Sequence, residues 1–173
     1  MAEPALTDTD TDTDTDRRHL RRCVELAREA LDAGDAPFGS VLAGADGRFL
    51  AEERNRWVTG GDRTLHPEFA LARWAATNLA PDERATATVY TSGEHCVMCA
   101  AAHGWVGLGR IVYITSTAQL GEVAAALDVP PSPVRPMAIQ DVVPGIVVEG
   151  PVPEFAAEVL EMQRRFWRHA PGR

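Results

Sequence analysis

His66 and Glu68 stand two residues apart, and thirty residues after His66 comes a pair of cysteines, Cys96 and Cys99. The cysteines open a stretch patterned as helix, so a three-residue step puts both thiols on one face. At roughly 5–6 Å between Cβ atoms they are close enough to share a metal. That pair alone leaves a thiol redox couple and a metal site equally open. His66 adds a third ligand, and three protein ligands leave a tetrahedral zinc one position for water. Glu68 supplies a carboxylate that a purely structural metal has no use for.

The chemistry this set suggests is zinc-assisted hydrolysis, with one zinc per subunit. Two thiolates weaken zinc as a Lewis acid, so something must compensate. Both ligand-bearing segments open helices, whose free N–H groups and partial positive charge favour thiolate at Cys96 and Cys99 and hydroxide on the metal. Glu68 is then the catalytic proton shuttle: it takes the proton of water, passes it to a ring nitrogen and helps expel ammonia as zinc hydroxide attacks an amino-bearing carbon. The non-enzymatic alternative is a structural zinc-binding module, closed by His95 or Cys23 as fourth ligand.

The elements that must position these residues follow from periodicity. Leu20, Val24, Ala27 and Leu31 recur at helical spacing and predict a helix over 17–33. Residues 39–43 and 48–54, joined at Asp46-Gly47, read as a β-hairpin. Pro67 suits a first helical position, predicting a helix to about residue 79. Strands over 88–91 and 110–115 bracket the helix at 96–106, a crossover of the length that parallel strands need. Further helices are expected over 117–127 and 154–169, with a short edge strand at 146–149. The order predicts an α/β fold, a three-layer α/β/α sandwich around a mixed five-stranded sheet. Cys23, Trp74 and Trp105 are expected in the core, with Phe166 and Trp167 packed on the chain's own sheet. His103 is expected to be a satisfied structural histidine, and His19 and His169 to lie near exposed ends.

Composition narrows the class. At 173 residues the chain suits one domain, taken as 17–173, behind a disordered Thr-Asp tail over 1–16. The formal charge of −8 overstates the body's acidity, because the tail holds six of the 25 acids and no base; the remaining 19 face 17 bases. A nearly neutral body makes nucleic acid an unfavoured partner. No apolar run is long enough for a membrane span, and nothing reads as an export signal, so the cytoplasm is the expected location.

His66-Pro67-Glu68 with Cys96-Val97-Met98-Cys99 resembles the signature of the cytidine deaminase superfamily. Ala36-Pro37-Phe38-Gly39, Asn55 and Glu94 are similar to the branch holding guanine deaminases, s-triazine deaminases and tRNA adenosine deaminases. The resemblance implies hydrolytic deamination of a free amino-purine or amino-triazine, such as guanine or ammeline. Cytosine or cytidine-type nucleosides are the alternative, and a tRNA adenosine a further one. It also implies substrate contacts from Asn55 and Phe38, with Glu94 as a further candidate, and a homodimer, often one whose C-terminal segment closes the partner's site. Trp57 follows the second strand closely enough to line a pocket, with core packing as the equal alternative. Two positions depart from the family pattern. Pro67 lacks the N–H that relatives offer to substrate, and His95 replaces a proline.

Overall fold

The computed structural model describes residues 8–170, with side chains from residue 14 onward. Twelve elements follow in order: α1 (Asp8–Asp32), β1 (Gly39–Ala43), β2 (Phe49–Arg54), α2 (Pro67–Asn78), α3 (Pro81–Thr86), β3 (Thr88–Gly93), α4 (Val97–Val106), β4 (Arg110–Thr115), α5 (Thr117–Ala126), α6 (Ile139–Val142), β5 (Val148–Glu149) and α7 (Pro153–His169). The five strands form one sheet in the order β2-β1-β3-β4-β5. The first three run antiparallel, while β3 to β4 and β4 to β5 are parallel. The mixed five-stranded sheet is the one expected.

Alternation along the central strands builds two cores. Val41, Ala43, Tyr90, Val112 and Ile114 face α1 and α7, where Leu20, Val24, Phe155, Val159 and Met162 meet them. The intervening Leu42 and Val89 face Leu71, Ala72 and Ala75 of α2, and Ile111 and Tyr113 face Ala100 of α4 and Ile139 of α6. Helices therefore cover both faces, giving three layers. At Gly39 a side chain would meet the Cys23 carbonyl and the Leu26 Cβ at under 3 Å, so glycine there lets α1 lie directly on β1.

Several expectations are corrected. The Thr-Asp repeat from residue 8 continues α1 instead of hanging free, so the helix crosses the expected boundary at residue 16; residues 1–7 lie outside the described region. Asp16 is held there: Arg110 donates to its two oxygens at 3.1 and 2.5 Å, and the Tyr90 hydroxyl donates at 2.5 Å. Trp105 is 91% exposed rather than core, because α4 turns only Cys99, Ala100 and His103 fully inward. His19 is buried against Tyr90, its Nε2 2.8 Å from the Gly47 carbonyl, and not at an exposed end. Cys23 is wholly buried in the core, as expected; His103 Nε2 donates to the Gly109 carbonyl at 3.0 Å, but its buried Nδ1 has no hydrogen-bond partner, so the ring is only half satisfied. The edge strand is shorter than read, and the short helices α3 and α6 were not anticipated.

Candidate metal centre

Two helix starts build the site. His66 is the residue before α2, extended at φ −89° and ψ 141°, with Pro67 in the first turn and Glu68 just behind it. Proline costs nothing where its missing N–H has no intrahelical partner. Cys96 holds the equivalent position before α4, at φ −66° and ψ 167°, and Cys99 sits one turn in. Because α2 packs on α4, the two N-termini bring their ligands together.

His66 Nδ1 lies 3.6 Å from Cys96 Sγ and 3.6 Å from Cys99 Sγ, and the two sulfurs are 3.6 Å apart. A tetrahedral zinc with Zn–S of about 2.3 Å and Zn–N of about 2.0–2.1 Å separates its ligands by roughly 3.5–3.8 Å, so this triangle fits one ion as it stands. Among the described residues no other three His, Cys, Asp or Glu side chains converge in this way. Neither Cys23 nor His95 joins the cluster.

The protonation pattern suits a cation. A hydrogen bond from the Cys99 thiol pulls Cys96 down to about 4 against the effect of burial, and His66 adds to the pull. The same bond, together with burial, pushes Cys99 well above its ordinary value. Burial lowers His66, but the Cys96 thiolate and the Glu68 carboxylate outweigh it and raise the imidazole. A divalent ion held by His66, Cys96 and Cys99 would displace these shared protons and take their place among the negative charges.

Glu68 is 5% exposed, and burial raises its carboxyl above the ordinary range. Its Oε2 lies 3.6 Å from Cys99 Sγ, facing the ligand triangle. Its Oε1 lies 3.3 Å from the Thr91 hydroxyl, which in turn accepts from Ser40 at 2.9 Å and sits 3.0 Å from the Gly93 carbonyl. Ser40 and Thr91 are register partners on β1 and β3 and are completely buried. Sequence reasoning missed both; the available signal was a polar residue on the inward phase of each strand.

The expected substrate contacts fall into two groups. Asn55 is buried at the end of β2, its N–H donating to the Phe38 carbonyl at 2.9 Å and its Oδ1 accepting from the Trp57 N–H at 2.9 Å. The Phe38 ring packs directly over Gly93, where a Cβ would meet it at 2.8 Å. Asn55 thus ties the Phe38 and Trp57 backbones together. The Trp57 ring is flanked by Arg63 and by Phe166 and Trp167 of α7. Glu94 stands apart: its two oxygens accept the N–H groups of Thr117 at 2.8 Å and Ile139 at 2.9 Å, the first residues of α5 and α6. That carboxylate serves two helix N-termini. His95 is buried with Nδ1 unpartnered, its ring edge-on to His103.

Similarity to known proteins agrees with this geometry. Over 95 residues the chain is 37% identical to the guanine deaminase of Bacillus subtilis, covering 54% of this chain and 60% of that protein. Over 87 residues it is 37% identical to the tRNA-specific adenosine deaminase of Agrobacterium fabrum, covering 50% and 57% respectively. The chain therefore spans less than two thirds of the length of either. A solved structure of guanine deaminase from Nitrosomonas europaea shares the fold, with a TM-score of 0.70 over 98% of this chain and 97% of that one at 17% identity. Residues 13–115, which include all three ligands and Glu68, match the family described as the cytidine and deoxycytidylate deaminase zinc-binding region, and the chain belongs to that family.

Proposed function

We propose that this chain is a hydrolytic deaminase of a free amino-purine or amino-triazine base, converting a ring C–NH2 and water into C=O and ammonia. The observation that carries this reading is the buried Glu68 carboxylate turned toward the His66-Cys96-Cys99 triangle, 3.6 Å from one ligand sulfur. A structural zinc site has no need of a buried base beside its ligands. When bound by His66, Cys96 and Cys99, zinc supplies a water acidified to near neutral pH.

The protein's own residues do the rest. Thr91 steadies Glu68 at Oε1, which leaves Oε2 to take a proton and return it first to the ring nitrogen and then to the departing amine. Asn55 Oδ1 is committed to the Trp57 N–H, which fixes the amide orientation and turns Nδ2 into a donor for a ring nitrogen or carbonyl. Phe38 and Trp57 offer flat surfaces for a planar ring. Pro67 cannot donate, so recognition rests on the Asn55 side.

A free base is favoured over a base in RNA because the body outside the tail is nearly neutral. Named relatives include both a guanine deaminase and a tRNA adenosine deaminase, so the test compares them. Purified protein is incubated with guanine, ammeline, adenine, cytosine, their nucleosides and tRNA, and ammonia is measured. Guanine or ammeline is expected to release ammonia fastest; turnover confined to tRNA, or to cytosine and cytidine, overturns the substrate assignment. The reading places the protein in the cytoplasm, where thiol ligands stay reduced.

The same reading includes a homodimer. Trp105 supports it, since a tryptophan 91% exposed on α4, the helix that carries both cysteines, is a costly surface residue unless a partner covers it. Light scattering is expected to give about twice the 18.7 kDa chain mass. Trp105→Glu is expected to shift it to the single-chain value; an unchanged mass removes Trp105 from the interface.

A further inference from the structure

Asp35 is completely buried and retains its charge through four donors. Its Oδ1 accepts the backbone N–H groups of Val58 and Thr59, both at 2.8 Å. Its Oδ2 accepts the Thr59 hydroxyl at 2.7 Å and Arg54 Nη1 at 3.1 Å. Burial pushes the carboxyl up, but the donors from Thr59, Arg54 and Val58 outweigh it and hold the pKa below the ordinary range. A buried carboxylate this well satisfied marks a segment whose geometry is held tightly.

All four donors come from one stretch, 54–59, and that stretch carries Asn55 and Trp57. The grip falls on both sides of them. Arg54 precedes Asn55 and also donates to its carbonyl at 3.1 Å, while Val58 and Thr59 follow Trp57. Between these points the Asn55 side chain closes on the Trp57 N–H. The segment that supplies Asp35 is fastened too: the Phe38 carbonyl accepts from Asn55, and the Pro37 carbonyl accepts from buried Gln163 of α7 at 3.0 Å. The metal ligands and Glu68, by contrast, depend on α2 and α4.

We propose that Asp35 is a positioning residue for base recognition, holding Asn55 and Trp57 in the geometry that grips a planar amino-base. This inference rests on the deaminase reading given above. Contacts to a small rigid ring tolerate displacements of only a fraction of an ångström, so loosening this turn weakens substrate binding. Chemistry at Glu68 and the ligands, mounted elsewhere, keeps its rate once substrate is saturating.

The test uses steady-state kinetics with guanine, or with whichever base the wild-type protein turns over, on Asp35→Asn, Thr59→Val and Thr59→Ser. Thr59 is exposed, so its substitution spares the core and deletes a single donor. Thr59→Val is expected to raise KM about threefold and Asp35→Asn about tenfold or more, with kcat within roughly twofold of wild type and zinc content unchanged. Thr59→Ser keeps the hydroxyl and is expected to retain the wild-type KM. Should Asp35→Asn fail to fold, the two Thr59 variants decide. Equal KM for Thr59→Val and wild type, or a fall in kcat at constant KM, overturns the positioning role. A wild-type protein that turns over no base in the panel instead removes the deaminase reading and this inference with it, a result distinct from unaltered KM in an active enzyme.

Discussion

Glu68→Gln is expected to abolish the proposed deamination while leaving one zinc per chain in place. General acid–base catalysis by a positioned side chain contributes about 10²–10⁴ in rate, and Glu68 is proposed to act in more than one proton transfer, so kcat is expected to fall by at least ~10⁴-fold. Glutamine keeps the volume and can still accept from Thr91, so packing is preserved. Stability provides the control. Burial raises the Glu68 carboxyl above its unfolded value. A group raised in this sense contributes stability that is present below its unfolded pKa and is lost as pH climbs through the folded pKa. At neutral pH, well above the unfolded value, burial of this group therefore weakens the metal-depleted protein. Glu68→Gln removes that ionisation, so its metal-depleted form is expected to melt at or above the wild-type temperature at pH 7. A structural residue would show the opposite: lower Tm and retained turnover, and that outcome would take Glu68 out of the mechanism. Metal analysis, ammonia release and thermal melts on the one variant decide between them.

Residues whose role is set by local backbone were the legible ones. His66 and Cys96 precede helices because proline and an alanine-rich run mark those starts, and the spacing of Cys96 and Cys99 along one turn is a helix property. The parallel pairing of β3 and β4 followed from the length of the crossover between them. Residues whose role is set by tertiary donors were not legible. Asp35 looks like a loop acid until four donors from 54–59 surround it, and Ser40 and Thr91 look like ordinary strand residues until Glu68 arrives over them. Glu94 shows the same limit from the other side. The family resemblance makes it a candidate substrate contact, and its two oxygens meet the starts of α5 and α6, elements 23 and 45 residues downstream, which no local pattern announces. Trp105 was misplaced because apolar identity on a helix does not say how much of that helix a sheet will cover. Asp16, at the expected end of the tail, pairs with an arginine on β4, 94 residues away, a contact no local pattern shows.

Cys99→Ala is expected to cost the protein its zinc, its activity and a substantial part of its thermal stability together. Structural zinc sites bind with roughly 10–16 kcal/mol at neutral pH, so losing one of three protein ligands removes on the order of 3–5 kcal/mol and more than 10²-fold in affinity. An ion held by all three ligands favours the folded triangle over the unfolded chain, in which His66 and Cys96 are thirty residues apart and only the Cys96-Cys99 pair stays close. Binding therefore stabilises by mass action, about 4 kcal/mol at a thousandfold excess over Kd. For a chain of this size that corresponds to a Tm loss of about 8–16 °C. The discriminating measurement is non-additivity with a chelator. EDTA should lower the wild-type Tm by nearly the full amount, and should leave Cys99→Ala unmoved because its metal is already gone. Cys23→Ala provides the contrast: Cys23 lies buried in the core between α1 and β1, so its loss lowers Tm through packing while zinc stays at one per chain and EDTA remains effective. If Cys99→Ala retained its zinc and still responded to chelation, the ion would be held elsewhere, and the 3.6 Å triangle of His66, Cys96 and Cys99 would not be the metal centre.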